Sequence, residues 1–149
     1  MKHHTARLLY DGRVAAPIEL LKNVPLFARV DDRGLKLLAN TFTERSFTEG
    51  AQLTTEGQGA AGFFVIESGT ALVTVDGAER RSLGPGDYYG EIALVDGGVR
   101  TATITATSNG RAYGLTAWQF RPLVEENTTI AWPLLEALAA RIRQIEGSN

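Results

Sequence analysis

The sequence predicts an α+β fold, in which an eight-stranded antiparallel β-roll, similar to a jelly-roll barrel, is flanked by short N-terminal helices and two C-terminal helices. Three observations predict it. Apolar residues recur at helical spacing before residue 42, at a spacing of two from there to about residue 115, and at helical spacing again near the C-terminus. Turn signals punctuate the middle segment every several residues, as in a small all-β unit. The last helical segment carries an apolar face, which must pack against another apolar surface.

The N-terminal part divides into a leader and a helical segment. Residues 1–16 are expected to form a loosely attached leader with room for a short helix or strand, and residues 17–149 the domain proper. From Pro17 to Phe42 the pattern predicts two short helices with Pro25 at the bend between them. Asp31-Asp32 is placed to cap the second helix.

Turn chemistry predicts the connections of the β unit. Asp76-Gly77 lies between two strand-like runs and favours a type I′ hairpin, because that turn requires positive φ at both central residues. Gly84-Pro85-Gly86-Asp87 fits a type II turn. The segment 101–107 alternates threonine with apolar residues, as a strand does when its two faces differ. This alternation predicts that one face of the strand carries Ala102, Ile104 and Ala106.

Two helices are predicted after the strands. Thr116 and Gln119 have the spacing of a capping box, and the helix that they open is expected to run to about Glu126. The last helix is expected from about Thr129 to Glu146, with Pro133 fitting only in its first turn. Its predicted apolar stripe consists of Ile130, Leu134, Leu135, Leu138, Ile142 and Ile145.

Length, composition and charge exclude several classes of function. The 149 residues are enough for one domain, and no apolar run approaches the roughly 18 residues of a membrane helix, so a cytoplasmic protein is expected. A net charge of −2 without clusters of basic and aromatic residues argues against direct binding of nucleic acid. Cysteine is absent and the β region holds no histidine, which excludes a disulfide framework and argues against a metalloenzyme of the cupin type.

The segment 89–102 carries the chemistry. Gly90 allows the backbone to approach a ligand closely, and Glu91–Leu94 can form one helical turn whose N–H groups point at an anion. Arg100 follows the flexible pair Gly97-Gly98, and its planar guanidinium suits a phosphate group. Because a carboxylate beside a phosphate is repelled unless it meets donors elsewhere on the ligand, Glu91 with Arg100 predicts a phosphorylated ribose.

These residues resemble a known motif. Gly90-Glu91-Ile92-Ala93-Leu94 followed by Arg100-Thr101-Ala102 is similar to the phosphate-binding cassette of cyclic-nucleotide-binding domains, as in protein kinase A regulatory subunits, cyclic-nucleotide-gated channels and bacterial catabolite activators. The runs 63–69 and 84–91 also resemble that family's strands and turns. The similarity extends from about Pro17 to the C-terminus.

The resemblance implies a site and a ligand. Glu91 would bind the ribose 2′-hydroxyl and Arg100 the phosphate oxygens. The pocket would be completed by the backbone of Gly90, Ile92 and Ala93, together with Thr101. The base would be flanked by Val73 and Leu83. The implied ligand is a cyclic purine mononucleotide, with cAMP favoured over cGMP, and the implied role is that of a regulatory sensor with no catalysis, cofactor or metal.

Other interpretations of these residues and of the last helix compete with this one. Thr101 could be only an exposed strand threonine, and the last helix could be plain core rather than a lid over the base. A transcription factor of the catabolite-activator type needs a helix-turn-helix domain after the last helix, and the sequence stops at Asn149. The remaining alternative is a diverged scaffold with an empty pocket. The presence of both Glu91 and Arg100 argues against it. The expected partner is a separate effector protein or a second copy bound through the last helix.

Overall fold

A computed structural model of the chain describes residues 7–8, 14–54, 62–98 and 102–147. The helical elements are α1 (Ile18–Lys22), a 3-10 turn (Pro25–Phe27), α2 (Asp32–Thr41), α3 (Glu91–Asp96), α4 (Ala117–Glu126) and α5 (Thr128–Gly147). The strands are β1 (Arg7–Leu8), β2 (Val14–Ala15), β3 (Thr43–Phe47), β4 (Gln52–Thr54), β5 (Gly62–Ser68), β6 (Ala71–Val75), β7 (Ala78–Leu83), β8 (Tyr88–Tyr89), β9 (Thr103–Ala106) and β10 (Gly110–Thr116).

Strands β3 to β10 form the predicted eight-stranded antiparallel roll. One sheet has the order β3-β10-β5-β8 and the other β4-β9-β6-β7, with antiparallel pairing throughout. Within the described residues the two sheets remain separate, so the roll is open at its edges rather than a closed barrel. The predicted fold class is confirmed.

Strand β5 is buried on both faces, which explains its continuous apolar run. Phe63 and Val65 belong to the cluster between the sheet and the helices, whereas Phe64 and Ile66 belong to the cluster inside the roll. Alternate residues of a strand point to opposite faces, so one strand contributes to both clusters. The helices therefore pack on the outside of the same sheet whose inner face lines the roll.

The predicted turns are present. Asp76 and Gly77 have φ values of 51° and 79° and join β6 to β7, as a type I′ hairpin requires. Gly86 has a φ of 89°, and the N–H of Asp87 donates to the Gly84 carbonyl over 2.9 Å, closing the turn before β8. On β9 and its approach the alternation also holds, because the three residues predicted to share one face are all buried: Ala102, Ile104 and Ala106.

The N-terminal helices also follow the sequence. Asp31 is the N-cap of α2 and accepts a hydrogen bond from the N–H of Gly34 over 2.9 Å. The bend at Pro25 is a 3-10 turn that buries Leu26 and Phe27. In the leader, β1 and β2 pair as a short antiparallel ribbon and Ala16 is buried, while the other residues of the leader lie outside the described part of the chain. The division into leader and domain stays a prediction.

The C-terminal helices begin and end close to the predicted positions. Thr116 and Gln119 form both hydrogen bonds of the capping box at the start of α4. In α5, however, Pro133 is the sixth residue and lies in the second turn, so its predicted place in the first turn is wrong. The helix continues through it with Ile130 and Leu134 buried on either side, which offsets the missing backbone hydrogen bond.

The apolar stripe predicted for the last helix is only partly buried. Ile130 and Leu134 are buried and Leu138 packs against the same cluster. The other three members of the predicted stripe are exposed, namely Leu135, Ile142 and Ile145. The interpretation of this stripe as plain core therefore holds for one side of α5 only, because the described part of the molecule covers that side while the apolar residues extend round to the outer side.

Candidate functional site

Strand β8 leads the chain into the candidate site. It pairs with β5, with Tyr88 opposite Val65 and Tyr89 opposite Phe64. Gly90 follows with a φ of 91°, the left-handed region that side-chain-bearing residues rarely adopt, and it is the N-cap of α3. Helix α3 is the predicted turn extended to six residues. Gly90 therefore redirects the backbone into α3, and the predicted close approach of a ligand to its backbone stays a prediction.

A cavity of about 550 Å³ opens beside this turn. Four predicted site residues line it, namely Gly90, Glu91, Ile92 and Ala93. The remaining lining residues are Arg81, Tyr88, Tyr89, Asp96, Gly98 and Arg141. The structure thus brings the first half of the predicted cassette together around one cavity.

Glu91 is the buried charged group of this cavity, with 5% of its surface exposed. Its Oε1 accepts a hydrogen bond from Nη2 of Arg141 over 2.6 Å. Its Oε2 accepts from the backbone N–H of Leu26 over 3.3 Å. A buried carboxylate is costly unless it is paired and hydrogen-bonded, and both conditions are met here. A carboxylate has about four lone-pair sites, so a further donor can still be accepted.

Arg141 was not predicted as a site residue. It lies on α5, fifty positions after Glu91 along the chain. Its spacing from Leu134 and Leu138 places it on the inner face of the helix, where a charged side chain needs a partner. That spacing was a usable signal, although it could not have named Glu91 as the partner.

Arg81 and Asp96 were also not predicted. Arg81 lies on β7, is exposed, and donates to the backbone carbonyl of Tyr88 over 3.3 Å. Asp96 ends α3, and its Oδ1 accepts from the N–H of Gly98 over 2.8 Å. Among the described residues, the cavity lining therefore carries two guanidinium groups and two carboxylates.

Tyr88 lines the cavity with a perturbed hydroxyl. Its burial raises the pKa of the phenol above 10.0, and the nearby negative charge of Glu91 raises this pKa further. Both causes disfavour the phenolate. Tyr88 therefore remains a neutral hydroxyl at physiological pH, able to donate or accept a hydrogen bond.

The other predicted site residues are placed differently. Val73 and Leu83 are buried in the cluster inside the roll and do not line the cavity. Val73 is opposite Arg81 in the β6–β7 ladder, so it lies one strand away from a lining residue. Arg100 and Thr101 lie outside the described residues.

Two further kinds of feature were sought in the part of the chain that the structure describes. No group of three or more His, Cys, Asp or Glu side chains there could hold a metal ion. None of the helices in that part combines the length and apolar character needed to cross a membrane.

Comparison with known proteins identifies the family. The model of the cyclic nucleotide-binding domain matches residues 44–127, which is more than half of the chain, and the chain therefore belongs to this family. The resemblance drawn from the cassette residues is thereby confirmed.

Two relatives illustrate the range of the family. The cAMP-dependent protein kinase regulatory subunit of Yarrowia lipolytica is 35% identical over 105 residues, which cover 69% of this chain and 26% of that protein. The cGMP-dependent protein kinase of Plasmodium berghei is 30% identical over 90 residues, which cover 60% of this chain and 10% of that protein. The chain thus spans about a quarter or less of the length of these relatives.

Solved structures agree with this assignment. The N-terminal domain of a transcriptional regulator from Streptomyces coelicolor superposes with a TM-score of 0.77 at 30% identity, covering 85% of this chain and 94% of that chain. The catabolite activator protein of Thermus thermophilus gives a TM-score of 0.64 at 26% identity, covering 83% and 61%. Similarity to the first extends over nearly all of a separately crystallised domain.

Proposed function

We propose that this domain binds a cyclic purine mononucleotide and acts as a regulatory sensor with no catalysis of its own. The observation that carries the proposal is the cavity beside α3, lined by four consecutive residues that resemble the family's cassette, from Gly90 to Ala93. Family membership supplies the ligand class, and the cavity supplies a place for it. We expect the domain to act by responding to the ligand rather than by converting it.

In this proposal Glu91 recognises the ribose of the ligand. Its carboxylate lines the cavity and can accept another hydrogen bond, so a ribose 2′-hydroxyl is a suitable donor. Arg100 would bind the phosphate oxygens through its planar fork, and Thr101 would add a hydroxyl. The N–H groups of the first turn of α3 would face the same phosphate.

The choice between cAMP and cGMP rests on two opposing points. The relative with the higher identity is a cAMP-dependent kinase subunit, which favours cAMP. Arg81, by contrast, lines the cavity with a side chain that only donates hydrogen bonds. Guanine presents two acceptors, N7 and O6, on the edge where adenine presents one acceptor and one donor. We propose cAMP as the first ligand and cGMP as its direct competitor in the same experiment.

The proposed switch passes through Glu91. This carboxylate holds Arg141 of α5 and the backbone of the 3-10 turn at Leu26. A ligand hydroxyl that binds Glu91 changes the environment of both contacts, so the position of α5 becomes sensitive to the ligand. A helix whose position depends on a ligand can present or withdraw a surface for an effector protein.

Thermal unfolding with added nucleotide tests the proposal. The wild-type chain is titrated with cAMP, cGMP and AMP, beside Arg100→Ala and a control, Arg33→Ala, at an exposed position on α2. A ligand present at 100 times its dissociation constant should stabilise the native state by about 2.7 kcal/mol. We expect a cyclic nucleotide to raise the midpoint for wild type and control, and much less for Arg100→Ala.

The alternative is a scaffold that binds no nucleotide. It is favoured by one observation, namely that both oxygens of Glu91 are already hydrogen-bonded within the protein. If millimolar cAMP and cGMP leave the midpoint of the wild-type chain unchanged, the sensor proposal fails. The domain would then be a scaffold in which Glu91 and Arg141 have a structural role.

A further inference from the structure

A second cavity lies between the segment of the 3-10 turn and α5. Its volume is about 280 Å³, against about 550 Å³ for the cavity beside α3. Three small side chains leave this space, Ala28 after the turn and Ala137 and Ala140 on the helix. Pockets for drug-sized ligands occupy about 300–1,000 Å³, so the second cavity suits a small ligand or a single chemical group.

The charged side chains of the second cavity are all cationic. Two arginines line it, Arg29 and Arg141, together with the amide of Gln144. None of the described residues that line it has a carboxylate. In the cavity beside α3, by contrast, the two guanidinium groups are accompanied by the carboxylates of Glu91 and Asp96. The second cavity therefore has a cationic lining without acidic side chains that would repel an anion.

Arg141 is held in place on this lining before any ligand binds. Its Nη2 donates to the buried carboxylate of Glu91 over 2.6 Å. A guanidinium has five N–H donors, so others remain for an acceptor in the second cavity. Because the contact with Glu91 already restricts the side chain, less conformational entropy is lost when a ligand binds to it.

Arg29 supplies an uncompensated positive charge. It is exposed, and within the described part of the chain its side chain has neither an ion pair nor a hydrogen bond. An exposed arginine alone is usually only solvated. Arg29, however, lines the same small cavity as Arg141, and the two side chains come from different elements of the fold. Together they provide two planar donors for one anion.

We infer that the second cavity binds a phosphate group, either as the free ion or as a phosphomonoester. A guanidinium can donate two parallel charge-assisted hydrogen bonds to phosphate oxygens, and Arg29 adds the charge that no carboxylate of the lining neutralises. Gln144 lies three positions after Arg141, about one helical turn, and its amide can donate as well. Since Arg29 is exposed, the organic part of a monoester would extend towards solvent.

This site is separate from the proposed nucleotide site. Among the described residues, the two cavities share Arg141 alone. A free phosphate ion could nevertheless also enter the cavity beside α3, where Arg100 is proposed to bind the phosphate of the nucleotide. The test therefore uses the Arg100→Ala chain, so that failure of the nucleotide proposal and failure of this inference give different results.

The ³¹P resonance of inorganic phosphate, titrated into the Arg100→Ala chain at constant ionic strength, tests the site. Phosphate bound to a protein tumbles slowly, so we expect saturable broadening. Adding Arg29→Ala should raise the dissociation constant by about tenfold, because a charge-assisted contact is lost. The matched control is Arg33→Ala, an exposed arginine on α2, which should leave the constant unchanged. Absence of saturable broadening, or equal weakening by Arg29→Ala and Arg33→Ala, overturns the inference.

Two further variants test the chemistry of the lining. Gln144→Glu places a carboxylate there and should weaken phosphate binding several-fold, whereas Arg29→Lys keeps the charge without the planar fork and should weaken it less than Arg29→Ala does. Unchanged binding in Gln144→Glu would also overturn the inference. Competition with glycerol phosphate identifies the source of the phosphate group, since the compound with the lower dissociation constant is the better ligand. Circular dichroism of each variant verifies its folding.

Discussion

The side chain of Arg141 on α5 donates to the buried carboxylate of Glu91 at the start of α3 over 2.6 Å. The pair joins the last helix of the chain to the wall of the candidate site. Glu91 is 6% exposed at its side chain and Arg141 is 39% exposed, so the carboxylate depends on the contact more than the guanidinium does. Removing the guanidinium leaves a buried charge with a single backbone donor.

Arg141→Ala should therefore destabilise the domain. We expect the free energy of unfolding to fall by about 1–3 kcal/mol, the cost of leaving a buried hydrogen-bonding group short of a partner. Urea unfolding measures it, with Arg33→Ala as the control because Arg33 is exposed on α2. Equal losses in the two variants would show that the contact with Glu91 contributes nothing to stability.

Glu91 should discriminate the sugar of the ligand. Titration calorimetry with a cyclic nucleotide and its 2′-deoxy analogue should show at least tenfold weaker binding of the analogue, since a hydrogen bond to a charged group contributes about 1.5–3 kcal/mol. In Glu91→Gln this ratio should shrink, because the acceptor is no longer ionised. An unchanged ratio in that variant would place the 2′-hydroxyl away from Glu91.

Arg81 should discriminate the base. If the base lies against β7, Arg81→Ala should weaken cGMP by more than cAMP, because a guanidinium that contacts N7 and O6 of guanine is worth about 1–3 kcal/mol. Arg81→Lys keeps the charge without the fork and should recover only part of the loss. Equal weakening of both nucleotides by Arg81→Ala would instead indicate a general electrostatic role.

Gly90 should resist substitution by alanine. Its φ of 91° is unfavourable for a side-chain-bearing residue, so Gly90→Ala should lower the free energy of unfolding by about 1–2 kcal/mol. Gly84→Ala is a matched control, because Gly84 has no left-handed φ and a Cβ built there meets nothing within 4 Å. Chemical denaturation of both variants measures the difference. A loss at residue 84 as large as that at residue 90 would refute the backbone explanation.

Tyr113 should make the fold sensitive to alkali. Its burial, followed by the charges of Glu67 and Glu44, raises the pKa of the phenol from 10.0 to about 12. The unfolded chain then loses this proton more readily than the folded one, so the stabilisation is complete below pH 10 and is lost as pH rises through 12. The free energy of unfolding should fall by roughly 2–3 kcal/mol over that range.

Tyr113→Phe is the matched variant for this measurement. It keeps the buried ring and removes the ionisable group, whose hydrogen bond to Glu67 is long at 3.5 Å. Between pH 10 and 12 its free energy of unfolding should fall less steeply than that of the wild type. Parallel curves for the two proteins would mean that Tyr113 ionises equally in the folded and unfolded states.

Local chemistry explains what the sequence could predict. The Asp76-Gly77 turn, the Asp31 cap and the capping box of Thr116 and Gln119 each depend on residues within a few positions, and each was predicted correctly. The turn at Gly90 also followed from neighbouring residues, which is why half of the candidate site was found. The ligand class proposed for this site came from the resemblance of the whole cassette to that of cyclic-nucleotide-binding domains.

Long-range geometry explains what the sequence could not predict. Spacing showed that Arg141 faces inward, but its partner lies fifty residues away and depends on how α5 packs. The same packing decides which apolar residues of α5 are covered, so the sequence could not show that Leu135 and Ile142 of the predicted stripe are exposed. Pro133 was misplaced because burial on either side compensates for a local defect that sequence rules treat as a boundary.

The hydrogen bond from the N–H of Leu26 to Glu91 has a spectroscopic consequence. This backbone proton lies 65 residues before the carboxylate that accepts it, and both groups are buried. The chemical shift of an amide proton depends on the charge and distance of its acceptor, so one resonance of the 3-10 turn reports on the carboxylate of α3. A ¹⁵N-labelled sample would therefore show events at the cavity through a peak that belongs to neither the cavity nor α5.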